Sequence, residues 1–225
     1  MKNIILFVLL VATLFSQNID FVGNSITANG YPEIVDFWMV QDDYEWRAFN
    51  YGVPGITVSI TGYDYINTES YKEVMARKSD HIVVMLGSND RQNVVANGVW
   101  GFNQSYRLLI FNLMSVSKKV FLGTVTYPIY SGENDVIDKI NEVIRQTAQD
   151  YGLSIIDFNS ELGTNPDYFQ ADGVHPTKEG KHKLARLAFN VLKEYPIYLG
   201  IEDEYWESVE RYEKEQRIGW FGCQK

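Results

Sequence analysis

The chain has 225 residues, 45% hydrophobic and 22% charged, which fits one domain with a substantial core and neither two domains nor a disordered chain. Twenty-nine acidic residues against twenty basic ones give a net charge of −9, a field that repels phosphate backbones and argues against a nucleic-acid partner. The single cysteine, Cys223, excludes a disulfide framework and a cysteine-rich zinc site.

The first element is the apolar run IILFVLLVATLF at 4–15, preceded by Lys2 and followed by Ser16. It has the length of a signal-peptide core and falls short of the roughly 20 residues that span a bilayer. Residues 1–17 are predicted to be a signal peptide, cleaved between Ser16 and Asn18, of a secreted or exported protein. Retained as a strand or helix, the same run would leave the protein cytoplasmic. No cysteine follows the run, so no stable membrane anchor is expected.

Over 18–200, the predicted folded domain, short apolar runs alternate with helical patterns. Strands are predicted at 18–23, around 46–50, at 81–87, 119–127 and 153–158. Helices are predicted at 31–40, 103–116, 135–150 and 177–194. In the third helix Ile137, Ile140, Ile144 and Ala148 share a face; in the fourth Leu184, Leu187, Ala188, Val191 and Leu192 do. The segment 91–104 has no clean period and is predicted to loop over a site. This alternation argues for an α/β domain with a mainly parallel sheet covered on both faces. The acidic stretch 201–225 is predicted to be a helical extension, with Ile201, Tyr205, Val209 and Tyr212 on one stripe.

In such sheets ligands bind at the carboxyl ends of the strands. Four segments there carry reactive residues. Gly23-Asn24-Ser25-Ile26-Thr27 follows the first strand and places a hydroxyl at the sheet's top edge, although Ser25 or Thr27 would equally suit a helix N-cap. Asn50-Tyr51-Gly52-Val53-Pro54-Gly55 is a turn in which Gly52 lets a backbone N–H approach a ligand. Leu86-Gly87-Ser88-Asn89-Asp90 offers the Asn89 amide to a developing negative charge, or is simply a turn. Asp172-Gly173-Val174-His175-Pro176-Thr177 puts a carboxylate three residues before an imidazole, close enough to hold one tautomer. The other histidines, His81 at a strand start and His182 in a lysine-rich helix, read as structural or solvated.

Taken in order, these four segments resemble the SGNH hydrolase superfamily, the GDSL-type esterases and lipases. The resemblance covers roughly 18–195 and is nearest to carbohydrate-esterase-like branches, because Asn24 stands where the common pattern has Asp. It implies a flavodoxin-like three-layer α/β/α sandwich. It also implies Ser25 as nucleophile, His175 as general base and Asp172 as its orienting carboxylate. The oxyanion hole would comprise the N–H groups of Ser25 and Gly52 and the Asn89 side chain. No metal or organic cofactor is implied.

The expected reaction is hydrolysis of a short-chain, acetyl-type ester of a carbohydrate through an acyl-enzyme. Lysophospholipase-like or thioesterase-like hydrolysis, acyl transfer, and silent carbohydrate binding on the same fold are the alternatives. Arg91, Trp100, Phe102 and Tyr127 are candidates to line the pocket for the alcohol portion. The fifteen Tyr, twelve Phe and five Trp suit sugar rings wherever they are exposed.

Overall fold

The computed structural model describes residues 17–42, 44, 46–59 and 62–194. Apart from Gln17, the predicted signal segment and the predicted 201–225 extension lie outside the described residues. Five strands, β1 (Gln17–Gly23), β2 (Trp46–Gly52), β3 (His81–Met85), β4 (Lys119–Gly123) and β5 (Ser154–Ile156), form one sheet. All neighbours pair in parallel, in the order β2-β1-β3-β4-β5, which is the flavodoxin-like order. The helices are α1 (Ser25–Ala28), α2 (Tyr31–Gln41), α3 (Glu69–Arg77), α4 (Arg91–Asn97), α5 (Trp100–Met114), α6 (Asn134–Tyr151), α7 (Phe158–Leu162) and α8 (Lys178–Lys193).

The strands alternate their side chains between two covered faces, so both sets are apolar. On one face Phe21 meets Tyr31 of α2 edge-on at 5.5 Å, and Tyr31 meets Phe158 of α7 at 5.6 Å. Trp38 of α2 packs on Phe189 of α8, which places α8 in the same layer. The other face is covered by α3, α5 and α6, with Asn112 of α5 donating to the Tyr71 hydroxyl of α3. The result is a three-layer α/β/α sandwich.

Three strands are shorter than their apolar runs. β4 ends at Gly123 because side chains take over its backbone partners. Asn141 accepts from the Val125 N–H and donates back to the Val125 carbonyl, and Asn159 donates to that same carbonyl. β3 stops at Met85, before Gly87 turns with φ +132°. β5 stops at Ile156, where Asp157 caps α7 by accepting the Ser160 N–H. The predicted loop 91–104 is instead α4 followed by the start of α5. Helices α1, α3 and α7 carry no apolar period long enough to be read from sequence.

Order β2-β1-β3 makes β1 the switch point of the sheet, with the chain leaving towards β2 on one side and β3 on the other. The crevice above the carboxyl end of β1 is where ligands bind in such sheets.

Candidate active site

Ser25 stands at that crevice, in the first position of α1. Asn24 is the N-cap: its buried side chain accepts the Ile26 N–H at 2.9 Å, and its carbonyl accepts the Ala28 N–H at 2.9 Å. The asparagine therefore fixes the turn that presents Ser25, a duty that needs an oxygen acceptor and no charge.

His175 reaches Ser25 from 150 residues away, its Nε2 lying 2.9 Å from Ser25 Oγ. Its Nδ1 lies 2.6 Å from Asp172 Oδ2. The spacing of three residues works because Asp172 closes its own loop. Its Oδ1 accepts the N–H groups of Val174 (2.9 Å) and His175 (3.0 Å), leaving Oδ2 for the ring. Gln170 braces the loop by donating from its N–H to the His175 carbonyl and from Nε2 to the Pro176 carbonyl. Desolvation pushes the Asp172 carboxyl up, but the His175 ring and the two N–H groups more than offset it and hold it at about 2. The carboxylate is thus ionised at any working pH, and the consistent proton assignment puts hydrogen on Nδ1 and leaves Nε2 to accept from Ser25.

Ser25 and His175 open onto a pocket of about 270 Å³, lined also by Ala28, Asn29 and Pro54. Pro54 belongs to the loop after β2. Its backbone fits a type II turn over Val53–Ile56, with the Ile56 N–H bonded to the Val53 carbonyl and Gly55 at φ +75°. Two bridges tie this loop to the turn after β3. Asn89 Nδ2 donates to the Ile56 carbonyl at 2.9 Å. The fully buried Asp90 accepts the N–H groups of Val58 and Ser59, with the shortest contact at 2.8 Å. Burial raises the Asp90 carboxyl against those hydrogen bonds.

Several expectations need correction. The Gly52 N–H is not free, because it donates to Asn50 Oδ1 at 2.9 Å. What Gly52 provides is room: a Cβ there would sit 2.2 Å from the Ala28 nitrogen. None of Arg91, Trp100, Phe102 and Tyr127 is among the residues lining the pocket. Arg91 pairs with Glu133 at 3.2 Å. Phe102 is fully buried, stacked on Tyr106 inside the fold. Trp100 stands exposed at the start of α5. The Tyr127 hydroxyl donates to Asp138 at 2.6 Å. Asn89 is half-buried with one amide hydrogen committed to Ile56 and a second left over. No sequence pattern marks Ala28, Asn29 and Pro54 as pocket walls or Gln170 as a brace, and the Gly-Ser-Asn-Asp turn is the one signal for Asp90. His81 is wedged between Trp46 and Phe121, where burial lowers its pKa.

The family model described as GDSL-like Lipase/Acylhydrolase family matches residues 21–183. An acetylxylan esterase from Xylanibacter ruminicola is 27% identical over 208 residues, covering 76% of this chain. The chain spans only 42% of that relative's length. Among solved structures, an acetylxylan esterase from Geobacillus stearothermophilus superposes with a TM-score of 0.67 at 21% identity, covering 83% of this chain and 95% of the other. Catalytic mutants of that enzyme change a serine, an aspartate and a histidine. An alpha/beta hydrolase from the metagenome of Lake Arreo, Spain, gives a TM-score of 0.66 at 16% identity over 80% of this chain and 97% of the other. At these identities the structural likeness is one of fold.

Proposed function

The chain belongs to the GDSL-like lipase/acylhydrolase family, and on that premise we propose that it is a serine esterase that removes acetyl groups from carbohydrate. The observation that carries this reading is the relay Ser25–His175–Asp172, with links of 2.9 and 2.6 Å, opening onto a pocket of about 270 Å³. The similarity to acetylxylan esterases supports the same substrate class.

A serine hydroxyl attacks an ester only if a base takes its proton in the same step. His175 Nε2 takes the proton as Ser25 Oγ bonds to the carbonyl carbon. The tetrahedral intermediate collapses, and the imidazolium returns the proton to the departing sugar oxygen. Water, deprotonated by the same nitrogen, then attacks the acetyl-serine, and the imidazolium returns that proton to Ser25 Oγ as the acyl bond breaks and acetate leaves. Asp172 holds the ring and stabilises the imidazolium without being protonated itself.

The oxyanion needs aligned donors. The Ser25 N–H and the second Asn89 amide hydrogen remain candidates. Gly55 replaces Gly52 as the third: it follows Pro54 of the pocket wall, and its N–H has no hydrogen-bond partner among the described residues. The test is hydrolysis of p-nitrophenyl esters from acetate to octanoate by the full chain and by Ser25→Ala. The expected result is highest activity on acetate, a steep fall with chain length, and only background for the variant. Activity rising towards octanoate would reassign the substrate to lipids or thioesters. A folded wild type no better than the variant would leave a carbohydrate-binding protein.

A further inference from the structure

A pocket of about 270 Å³ cannot enclose an oligosaccharide, so most of such a substrate lies outside it. The alcohol portion must then be recognised on the rim, by residues packed against the backbone segments that build the pocket. Two exposed aromatic rings outside the pocket lining lie against such segments. Tyr63 is 59% exposed, and its hydroxyl donates to the carbonyl of Pro54, a pocket wall. Its ring edge lies 3.7 Å from where a Gly55 Cβ would be. Tyr130 is 64% exposed and lies against Gly173, between Asp172 and His175. A Cβ on Gly173 would come within 2.4 Å of the ring, so the glycine is what allows the ring to lie on the loop. The neighbouring Ile129 N–H donates to the Gly173 carbonyl at 2.9 Å and fixes the segment that carries the ring.

One of these rings thus stands on the Pro54 side of the pocket and the other on the Asp172–His175 side. Tyr63 is tied to the backbone by its hydroxyl, which lowers the side-chain freedom it would lose on binding. We propose that Tyr63 and Tyr130 are stacking platforms for neutral sugar rings on either side of the acetyl-bearing residue, a specificity site that rests on the esterase reading above. Sugar rings offer apolar C–H faces to the two rings. The Tyr130 hydroxyl, unpartnered among the described residues, is left to bond a sugar hydroxyl. The net charge of −9 disfavours an anionic polymer in the same place.

The test compares kcat/KM for acetylated xylo-oligosaccharide with kcat/KM for p-nitrophenyl acetate, in wild type and in the double variant Tyr63→Ala/Tyr130→Ala. The expected result is a ratio lowered about tenfold, mostly through KM on the oligosaccharide, which corresponds to about 1.4 kcal/mol shared between the two rings. The variant Tyr63→Ala/Tyr130→Trp should recover most of the loss attributable to Tyr130. A ratio unchanged in the double variant, or both activities lost in parallel, overturns the platforms while leaving the esterase reading intact. A wild type that cleaves p-nitrophenyl acetate but no acetylated oligosaccharide overturns the carbohydrate reading, and the platforms with it.

Discussion

Replacing Asp20 by Asn should shift stability in the variant's favour as pH rises from acid to neutral. Asp20 lies in β1, an interior strand between β2 and β3, and is fully buried. Neither carboxylate oxygen has a hydrogen bond of regular geometry, and Arg77 Nε is 3.6 Å away. Arg77 is also held by other partners, lying 3.6 Å above the Phe49 ring and donating to the Tyr51 hydroxyl at 3.0 Å. Burial pushes the Asp20 carboxyl from 3.8 up to about 6, against the pull of Ser79 and Arg77. An acid raised on folding is bound to its proton more tightly in the native state, so stability is full below the unfolded value and is lost as pH rises through the folded one. At about 1.36 kcal/mol per pH unit, a carboxyl raised from 3.8 to about 6 costs about 3 kcal/mol at pH 8 and about 1 kcal/mol at pH 4.5. The amide introduced by Asp20→Asn would itself be poorly bonded, at a cost of about 1–3 kcal/mol that does not vary with pH. The pH-dependent part is therefore the diagnostic: the stability difference between Asp20→Asn and wild type should grow by about 2 kcal/mol between pH 4.5 and 8. Urea unfolding at both pH values measures it. A difference independent of pH, or one that turns against the variant at pH 8, would show an ionised Asp20 well paired with Arg77 and refute the argument.

Other substitutions separate the parts of the site. Asn89→Ala should lower kcat by about 10²–10³ with little change in KM, the usual loss for one oxyanion donor; a kcat within a few fold of wild type removes Asn89 from that role. Asp172→Asn keeps an oxygen for the Val174 and His175 N–H groups but loses the charge on Oδ2, so the loop should persist while kcat falls on the order of 10³–10⁴. Circular dichroism and kinetics on p-nitrophenyl acetate check both halves. Gly52→Ala drives a methyl group into the Ala28 backbone and should destabilise the fold by about 3 kcal/mol, read as a lowered urea midpoint; wild-type stability would mean that α1 can yield.

How much of this was legible in the sequence depends on how many buried residues each element repeats. Strand β3 shows because all five of its residues are buried and apolar or aromatic, which no surface loop imitates. Helix α5 shows its period as Phe102, Tyr106, Leu109, Ile110 and Leu113, all fully buried. Starting that helix at 103 detaches Phe102 from its own stripe and turns a core residue into a candidate for the pocket. Helices α3 and α4 each bury one hydrophobic residue, Val74 and Val94, and a single residue has no period. The Asp172–His175 pairing was readable because the two are three residues apart and one carboxylate can close the loop while holding the ring. The rim was not readable, since Tyr127 and Tyr130 follow the same strand and differ only in what each meets, Asp138 in one case and Gly173 in the other.

The block Asn50–Gly55 shows the same limit at atomic scale. It contains two glycines, and sequence pattern does not say which N–H is spare. Hydrogen-bond bookkeeping does: the Asn50 side chain takes the Gly52 N–H, while the type II turn leaves that of Gly55 without a partner among the described residues. The surrounding order explains why such a loop can be trusted to hold a donor in place. Strand β1 lies between β2 and β3, so any contact from the β2 loop to the β3 turn must pass over the end of β1, where Ser25 emerges. Asn89 and Asp90 make that contact from adjacent positions, one donating to the Ile56 carbonyl and the other accepting the Val58 and Ser59 N–H groups. The Val53 N–H closes the near side by donating to the Gly23 carbonyl at 2.9 Å. The loop that walls the pocket is thus clamped on both sides of Ser25 by the ends of all three strands. Pre-alignment of donors by such a clamp is what electrostatic stabilisation of a tetrahedral intermediate requires, because donors already in place need no reorganisation as charge develops.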